Sequence, residues 1–197
     1  MRLLFATLNR GKLEELRELV GADLEVVSQA ELSLSVEVEE DQLTFEGNAE
    51  KKARAFLAAS GLPALADDSG LCVEALAGRP GVHSARYAPT EKARIERLLE
   101  ELSAVEEEQR AAAFRCALCL ALPSGKAVIE VGACPGRIAR EPKGEGGFGY
   151  DPVFFLPELG KTMAQLSSAQ KSEVSHRGRA FRKMRPHLLA LARGELH

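Results

Sequence analysis

Pro63-Ala64-Leu65-Ala66-Asp67-Asp68-Ser69-Gly70-Leu71 runs from an apolar approach into two adjacent carboxylates, and the rest of the chain is organised around it. The apolar residues suit a strand. Ser69-Gly70 suits a tight turn or a close approach of backbone to a ligand, so the acids are expected at the strand's edge. Neighbouring ionised carboxylates repel one another, and a hard cation such as magnesium, or a substrate proton, would compensate them. Taken alone, DDSG is equally a solvated strand-to-loop junction, and its company in the chain has to decide.

Upstream, Thr44 is a good N-cap for a helix running to about Ser60, with Gly61 and Pro63 as the stop and Ala49, Ala53, Phe56 and Leu57 as its apolar face. Before it, Val36 to Asp41 concentrates carboxylates, whose usual fate is a solvated face. Leu24 to Ser28 reads as a strand. At the start of the chain, Arg2 to Ala6 is a short apolar run, Thr7-Leu8-Asn9-Arg10-Gly11 is turn-like, and Leu13, Leu16 and Val20 recur at helical spacing. The pattern is strand, loop, helix. A loop at a helix N-terminus offers unpaired N–H groups and a positive dipole end, and Thr7, Asn9 and Lys12 add donors suited to phosphate. The Walker A pattern fails here, with Ala6 in place of its first glycine and Leu13 in place of its Ser or Thr. A phosphate cradle of another kind and a plain strand-to-helix connection both remain open.

Downstream, Leu71 to Leu76 continues extended. Ala77 to Tyr87 is rich in turn residues, with Arg79 and Arg86 available to an anion. Glu91 to Val105 is an amphipathic helix with Ile95, Leu98, Leu99, Leu102 and Val105 inward. Ala112 to Leu122 and Lys126 to Cys134, joined by Pro123-Ser124-Gly125, read as a β-hairpin. The chain has no Trp and ten aromatic residues, of which Phe148, Tyr150, Phe154 and Phe155 follow a glycine-rich stretch from Gly144. Phe154 and Phe155 suit a core strand, whereas Phe148 and Tyr150 suit either the core or stacking on a base. Lys171 to Arg179 begins the C-terminal helix, with Ser175 as N-cap and His176 and Arg177 at its entrance as donors to a carbonyl or phosphate oxygen. Phe181, Met184, Leu188 and Leu191 continue it, and Pro186 should kink it. Arg179, Arg182, Lys183 and Arg185 read as a solvated basic face.

With 197 residues, the chain fits one domain, or one domain with two lobes around a cleft. Hydrophobic residues at 45% and charged residues at 28% give the balance of a globular protein, and a net charge of −3 argues against bulk attachment to nucleic acid or anionic membrane. The N-terminal apolar run is too short for a signal peptide and no stretch approaches membrane-spanning length, so a cytoplasmic location is expected. Cys116 and Cys119 lie in an alternating apolar run, where residues three apart point to opposite faces, so buried small hydrophobes are favoured over a metal or redox pair. Cys72 and Cys134 have no partner spacing.

TLNRGK at Thr7 to Lys12, TFEGNA at Thr44 to Ala49, ADDSGL at Ala66 to Leu71, the GRPGVHSARY run ending at Tyr87, GGFGYDPVF at Gly146 to Phe154 and KSEVSHRG at Lys171 to Gly178 occur in this order over nearly the whole chain. Together they resemble the inosine triphosphate pyrophosphatase family, hydrolases that convert ITP, dITP and XTP to monophosphates and pyrophosphate. The resemblance implies an α/β fold with an elongated mixed β-sheet and flanking helices, two lobes around a nucleotide-binding cleft in one domain over residues 1–197, and a homodimer. Residue by residue, it implies that Thr7, Leu8, Asn9, Arg10, Gly11 and Lys12 cradle the triphosphate, and that Glu39 and Asp68 hold magnesium. Asp68 is also implied as the general base, with Asp67 supporting it and Ser69 contacting substrate. Phe148, Gly149, Tyr150 and Asp151 would frame base and sugar, while Lys171, His176 and Arg177 complete base and phosphate recognition. Many members have Glu before Asn in the second motif, where this chain has Gly47, which leaves Glu39 and Glu40 as the better-placed acids. A Maf-like pyrophosphatase of different base preference and a non-catalytic nucleotide sensor are the rival readings.

Overall fold

The computed structural model describes residues 1–197, the side chains of Glu15 and Leu19 excepted. Its main elements are β1 (Arg2–Phe5), α1 (Arg10–Val20), β2 (Glu25–Ser28), α2 (Phe45–Ser60), β3 (Ala64–Val73), α3 (Glu91–Glu101), β4 (Ala111–Ala121), β5 (Ala127–Ile138), β6 (Phe154–Leu156), β7 (Lys161–Thr162), α4 (Ser168–Val174) and α5 (His176–Ala192). The strands order as β2-β1-β3-β4-β5-β6-β7 in one seven-stranded sheet. It is mixed: β1 runs parallel to β2 and β3, while β6 is antiparallel to β5 and β7. The chain divides into two compact units, Met1–Asp68 with Cys116–Gly132 and Arg179–His197, and Ser69–Arg115 with Ala133–Gly178.

In the first unit, parallel pairing demands crossovers, and α1 and α2 supply them. Right-handed crossovers from β1 outward to β2 and from β2 back to β3 place the two helices on opposite faces. The cores agree. Leu3, Phe5 and Leu65 pack with Leu13, Leu16 and Val20 of α1 and with Phe181, Met184 and Leu188 of α5. Leu4 and Ala64 pack instead with Phe56 of α2. Asn9 caps α1 by accepting from the Lys12 N–H at 3.2 Å, and Thr44 caps α2 by accepting from the Gly47 N–H at 3.1 Å. Gly61 closes α2, the stop expected there, in the left-handed conformation.

The second unit is built on Leu71, Val73, Leu98, Leu102, Phe114, Ile138, Tyr150 and Phe154. Arg110, 2% exposed, lies among them. β5 continues past Cys134 to Ile138, where it pairs with β6 in the register Ile138↔Phe154. Only glycine fits at Gly136, since a Cβ there would sit 2.6 Å from the Phe155 carbonyl oxygen. Among the described residues no helix is long and apolar enough to cross a membrane. All four cysteines are free thiols, and burial pushes the Cys119 thiol up to about 12.

Three expectations are corrected. Asp67-Asp68-Ser69-Gly70 forms no turn, because β3 runs unbroken to Val73 and keeps Leu71 and Val73 in the core. The third helix ends at Glu101, one residue before the buried Leu102, so Val105 packs from beyond it. Lys171 does not begin the C-terminal helix but belongs to α4, whereas Ser175, with extended backbone angles, caps α5 as expected.

One ion pair in the first unit makes stability depend on pH. Glu31 accepts from the Ser28 N–H at 2.7 Å and from the Arg17 guanidinium at 2.9 Å. The Ser28 backbone hydrogen bond, then Arg17, then the Ser28 hydroxyl lower its pKa from 4.5 to about 2. A carboxylate with a depressed folded-state pKa stabilises above its ordinary value and loses that stabilisation as pH falls. The site is half-exposed, so the effect is small. Glu31→Gln should therefore melt slightly below wild type near neutral pH, and the two melting curves should converge as pH approaches about 2.

Candidate nucleotide site

β1 ends at Phe5, paired with Leu65, while β3 continues beyond it. Because α1 and α2 leave on opposite faces, the carboxyl end of β1 beside β3 is a topological switch point, the place where open α/β sheets bind ligands. Alternation along β3 then sends adjacent acids to opposite faces, Asp67 toward α1 and Asp68 toward α2. Lys12 of α1 reaches Asp67 at 2.7 Å, and that carboxylate is only 3% exposed. Asp68, also buried, accepts from Asn48 Nδ2 of α2 at 2.9 Å.

The loop feeding α1 is held by its own side chains. Thr7 Oγ1 accepts from the Asn9 N–H at 3.1 Å, and Asn9 Oδ1 is committed to the helix cap. Arg10 and Gly11 open the first helical turn, whose N–H groups have no carbonyl partner within the helix. A cavity of about 330 Å³ opens on this loop, lined by Thr7, Leu8, Asn9, Arg10, Arg17 and Ser28 among others.

The acidic segment before α2 is extended. Leu34, Val36 and Val38 pack inward and leave Glu37 and Glu39 exposed. Glu40 pairs with Lys52 at 2.6 Å and Asp41 with Lys51 at 2.8 Å. Burial penalises the Lys52 ammonium, but the charges of Asp67, Glu40 and Asp68 and the hydrogen bond to Glu40 outweigh it and hold its pKa above the ordinary value. Lys52 is therefore a charged ammonium. Among the described residues no group of three or more His, Cys, Asp or Glu side chains gathers as a metal cluster, and Glu39 is exposed.

The second unit carries a separate group. Asp151, buried, accepts from the Phe148 N–H at 2.9 Å and pairs with Lys171 of α4. Phe148 is 49% exposed, with the Lys171 ammonium 4.6 Å and the Arg177 guanidinium carbon 5.7 Å from its ring centroid. Gly149 stands between Phe148 and Tyr150 at φ 63°. Tyr150 presents no exposed ring, because it is buried and donates its hydroxyl to the Ser84 carbonyl at 3.0 Å. Burial also pushes that hydroxyl well above its ordinary pKa. Ser84 in turn accepts from the Leu71 N–H at 2.8 Å, which gives the GRPGVHSARY run a buried anchoring role. Ser175 caps α5 by accepting from the Gly178 N–H at 3.0 Å. The cap sets His176 and Arg177 in the first turn. His176 stacks on Phe114 with centroids 4.9 Å apart, and the buried Nε of Arg177 meets no protein acceptor. A buried donor left over in this way calls for a partner from outside the chain. Ser69, half-buried, follows Asp68 on β3.

The model of the Ham1 family matches residues 3–187. The chain belongs to the Ham1 family. Its relatives include the dITP/XTP pyrophosphatase of Geobacter sulfurreducens, 49% identical over 191 residues with 95% of this chain and 96% of that protein covered. Another is the dITP/XTP pyrophosphatase of Bacillus subtilis, 46% identical over 185 residues, covering 92% and 93%. Among solved structures, a HAM1 protein from Coxiella burnetii superposes with TM-score 0.90 at 40% identity, covering 95% of this chain and 98% of that one. A nucleoside-triphosphatase, dITP/XTP pyrophosphatase, from Mycobacterium abscessus gives TM-score 0.81 at 42% identity, covering 93% and 98%. The α/β mixed sheet with flanking helices expected from the motifs is thus the Ham1 fold.

Two residues of this Ham1 chain escaped sequence reasoning, Asn48 and Lys52. They lie four apart on α2, so they share one side of the helix and bring polar groups to its buried face. That polar interruption, beside the apolar Ala49, Ala53 and Phe56, was the available signal. A further dependence arises at Gly147, whose φ is 77° and where a Cβ would fall 2.0 Å from Asp151 Oδ2. Gly147→Ala should displace the carboxylate that ties Phe148 to Lys171. It should raise KM for nucleotide roughly tenfold or more, given the cost of losing one charge-assisted hydrogen bond, and initial-rate kinetics would measure it.

Proposed function

We propose that this chain hydrolyses the non-canonical purine nucleoside triphosphates dITP, ITP and XTP to the monophosphate and pyrophosphate, cleansing the nucleotide pool. The observation that carries the reading is the pair Asp67 and Asp68 at the carboxyl end of β1, one acid held by Lys12 and the other by Asn48. The names of the relatives, which share 46% and 49% of their aligned residues with this chain, support it.

In this reading the first unit handles the phosphates. Thr7 to Lys12 offers N–H groups, the helix dipole and an ammonium, and Lys52 adds a second positive charge. Asp68 accepts the proton of the water that attacks the α-phosphorus, and pyrophosphate leaves with its charge offset by these cations. Asp67 holds Lys12 in place.

Magnesium fits the donor set. The carboxyl groups of Asp68, buried beside Asn48, and of Glu39 are of the hard oxygen type that the ion takes. Asp68 and Glu39 would hold it, Glu39 from an extended and exposed segment. When bound, the ion neutralises charge on the polyphosphate and polarises the reacting phosphoryl group.

The second unit handles the base. The exposed Phe148 ring offers a stacking face, with Gly149 and Asp151 fixing its loop and Lys171 beside it. Arg177 and His176 supply donors for the C6 oxygen of hypoxanthine or xanthine. Adenine carries an amino donor there, and a lost buried pairing of this kind discriminates by ~10⁴-fold. A cytoplasmic homodimer completes the reading, and sedimentation velocity tests the oligomer.

The deciding experiment measures pyrophosphate release with magnesium, offering dITP, ITP, XTP, ATP, GTP and a pyrimidine triphosphate side by side. Turnover confined to dITP, ITP and XTP supports the proposal. Binding without turnover would favour a sensor, and a pyrimidine preference a Maf-like enzyme.

A further inference from the structure

We infer that Asn48 is a positioning residue that fixes the direction of the Asp68 carboxylate, and that the backbone N–H of Gln42 fixes Asn48 in turn. The inference rests on the reading of Asp68 as the base. Asn48 is fully buried. Its Oδ1 accepts from the Gln42 N–H at 3.0 Å and its Nδ2 donates to Asp68 Oδ2 at 2.9 Å. A flipped amide would set its NH₂ against the Gln42 N–H and its oxygen against a carboxylate oxygen, donor on donor and acceptor on acceptor. Only one orientation pairs both ends. A backbone N–H cannot change polarity, so Gln42 dictates that Asn48 always offers Asp68 a donor.

The consequence for Asp68 is geometric. The last torsion of an Asp side chain is broad and weakly restrained on its own. Commitment of Oδ2 to a buried amide on α2 sets the carboxylate plane, and with it the direction in which the acid meets its substrate water.

Gly47 contributes to the same arrangement. A Cβ at Gly47 would lie 3.0 Å from Gln42 Cβ and 3.2 Å from Thr44 Oγ1. The bare helix turn lets Gln42 lie tight against α2, within reach of Asn48. The Gly in TFEGNA thus serves the placement of an acid without supplying one.

The test compares wild type with Asn48→Asp and Gln42→Pro in steady-state kinetics with dITP, together with calorimetric binding of a non-hydrolysable dITP analogue and thermal melts. Asn48→Asp keeps the acceptor for Gln42 but turns an acceptor toward Asp68, while Gln42→Pro removes the N–H that orients Asn48. Both should lower kcat roughly 10–100-fold, the usual cost of losing a group that orients a reacting side chain. KM and analogue affinity should stay within about threefold, and each variant should still melt cooperatively. Asn48→Leu, which offers Asp68 nothing, should fall to a similar kcat. A kcat for Asn48→Asp within about twofold of wild type overturns the inference while leaving the proposed function intact. So does a loss carried by KM and analogue affinity with kcat unchanged. Wild type without turnover overturns both.

Discussion

Asp68→Asn should lower kcat for dITP by about 10²–10⁴-fold, the range contributed by a positioned general base. The amide is the same size as the carboxylate and its oxygen still accepts from Asn48 Nδ2, so the strand and α2 stay as they are. What is lost is a proton acceptor and a negative charge. Affinity for a non-hydrolysable analogue, measured by calorimetry, should therefore remain within about threefold, since uniform binding does not depend on the proton transfer. Near-normal kcat in this variant would falsify the assignment of Asp68. Repeating the assay over a wide range of magnesium separates its two roles. Recovery of rate at high magnesium marks the acid chiefly as a ligand, and a loss that magnesium cannot repair marks it as the base.

The second large effect lies far from the chemistry in sequence. Arg110→Met should destabilise the protein by about 2–4 kcal/mol, because each buried carbonyl left unpaired costs about 1–3 kcal/mol before relaxation. Arg110 donates Nε to the Ile138 carbonyl at 2.8 Å, Nη1 to Leu102 at 2.7 Å and Nη2 to Ala139 at 3.2 Å. One planar fork thus ties the end of α3 and the end of β5 to the start of β4. Burial pushes its pKa down, yet the carbonyl dipoles serve the guanidinium where no carboxylate hydrogen-bonds to it. Met matches the stem but leaves those carbonyls facing apolar atoms. For a chain of this length the expected fall in Tm is ~4–16 °C by calorimetry. Arg110→Lys should recover only part of it, because a compact ammonium cannot span the fork. An unchanged Tm for Arg110→Met would show that the carbonyls find other partners.

Features set by neighbouring residues were legible in the sequence. Thr44 and Gly61 delimit α2 because a cap and a glycine stop act within a few residues, and the chain starts as strand, loop and helix in succession. Asp67 and Asp68 stood out because two acids after an apolar run are unusual. Features set across the fold were not legible. Ser69-Gly70 has the local preference of a turn, yet β3 continues past the end of β1 to Val73, with β4 as its neighbour on the other side. The glycine context of Tyr150 leaves core and stacking both open, and the fold decides for the core, where its hydroxyl finds a carbonyl 66 residues away. Asn48 reads as an ordinary helix residue until the strand that carries Asp68 is laid beside it.

The discontinuous first unit has a consequence for biosynthesis. Its core counts Leu3, Phe5 and Leu16 at one end of the chain and Phe181, Met184, Leu188 and Leu191 at the other. The backbone passes between the units after Asp68, Arg115, Gly132 and Gly178. Domains that are contiguous in sequence fold in order as they leave the ribosome. Here the apolar residues of β1 and α1 are not fully covered until α5, far later in the chain, has been translated, and until then that face stays open to chaperones and proteases.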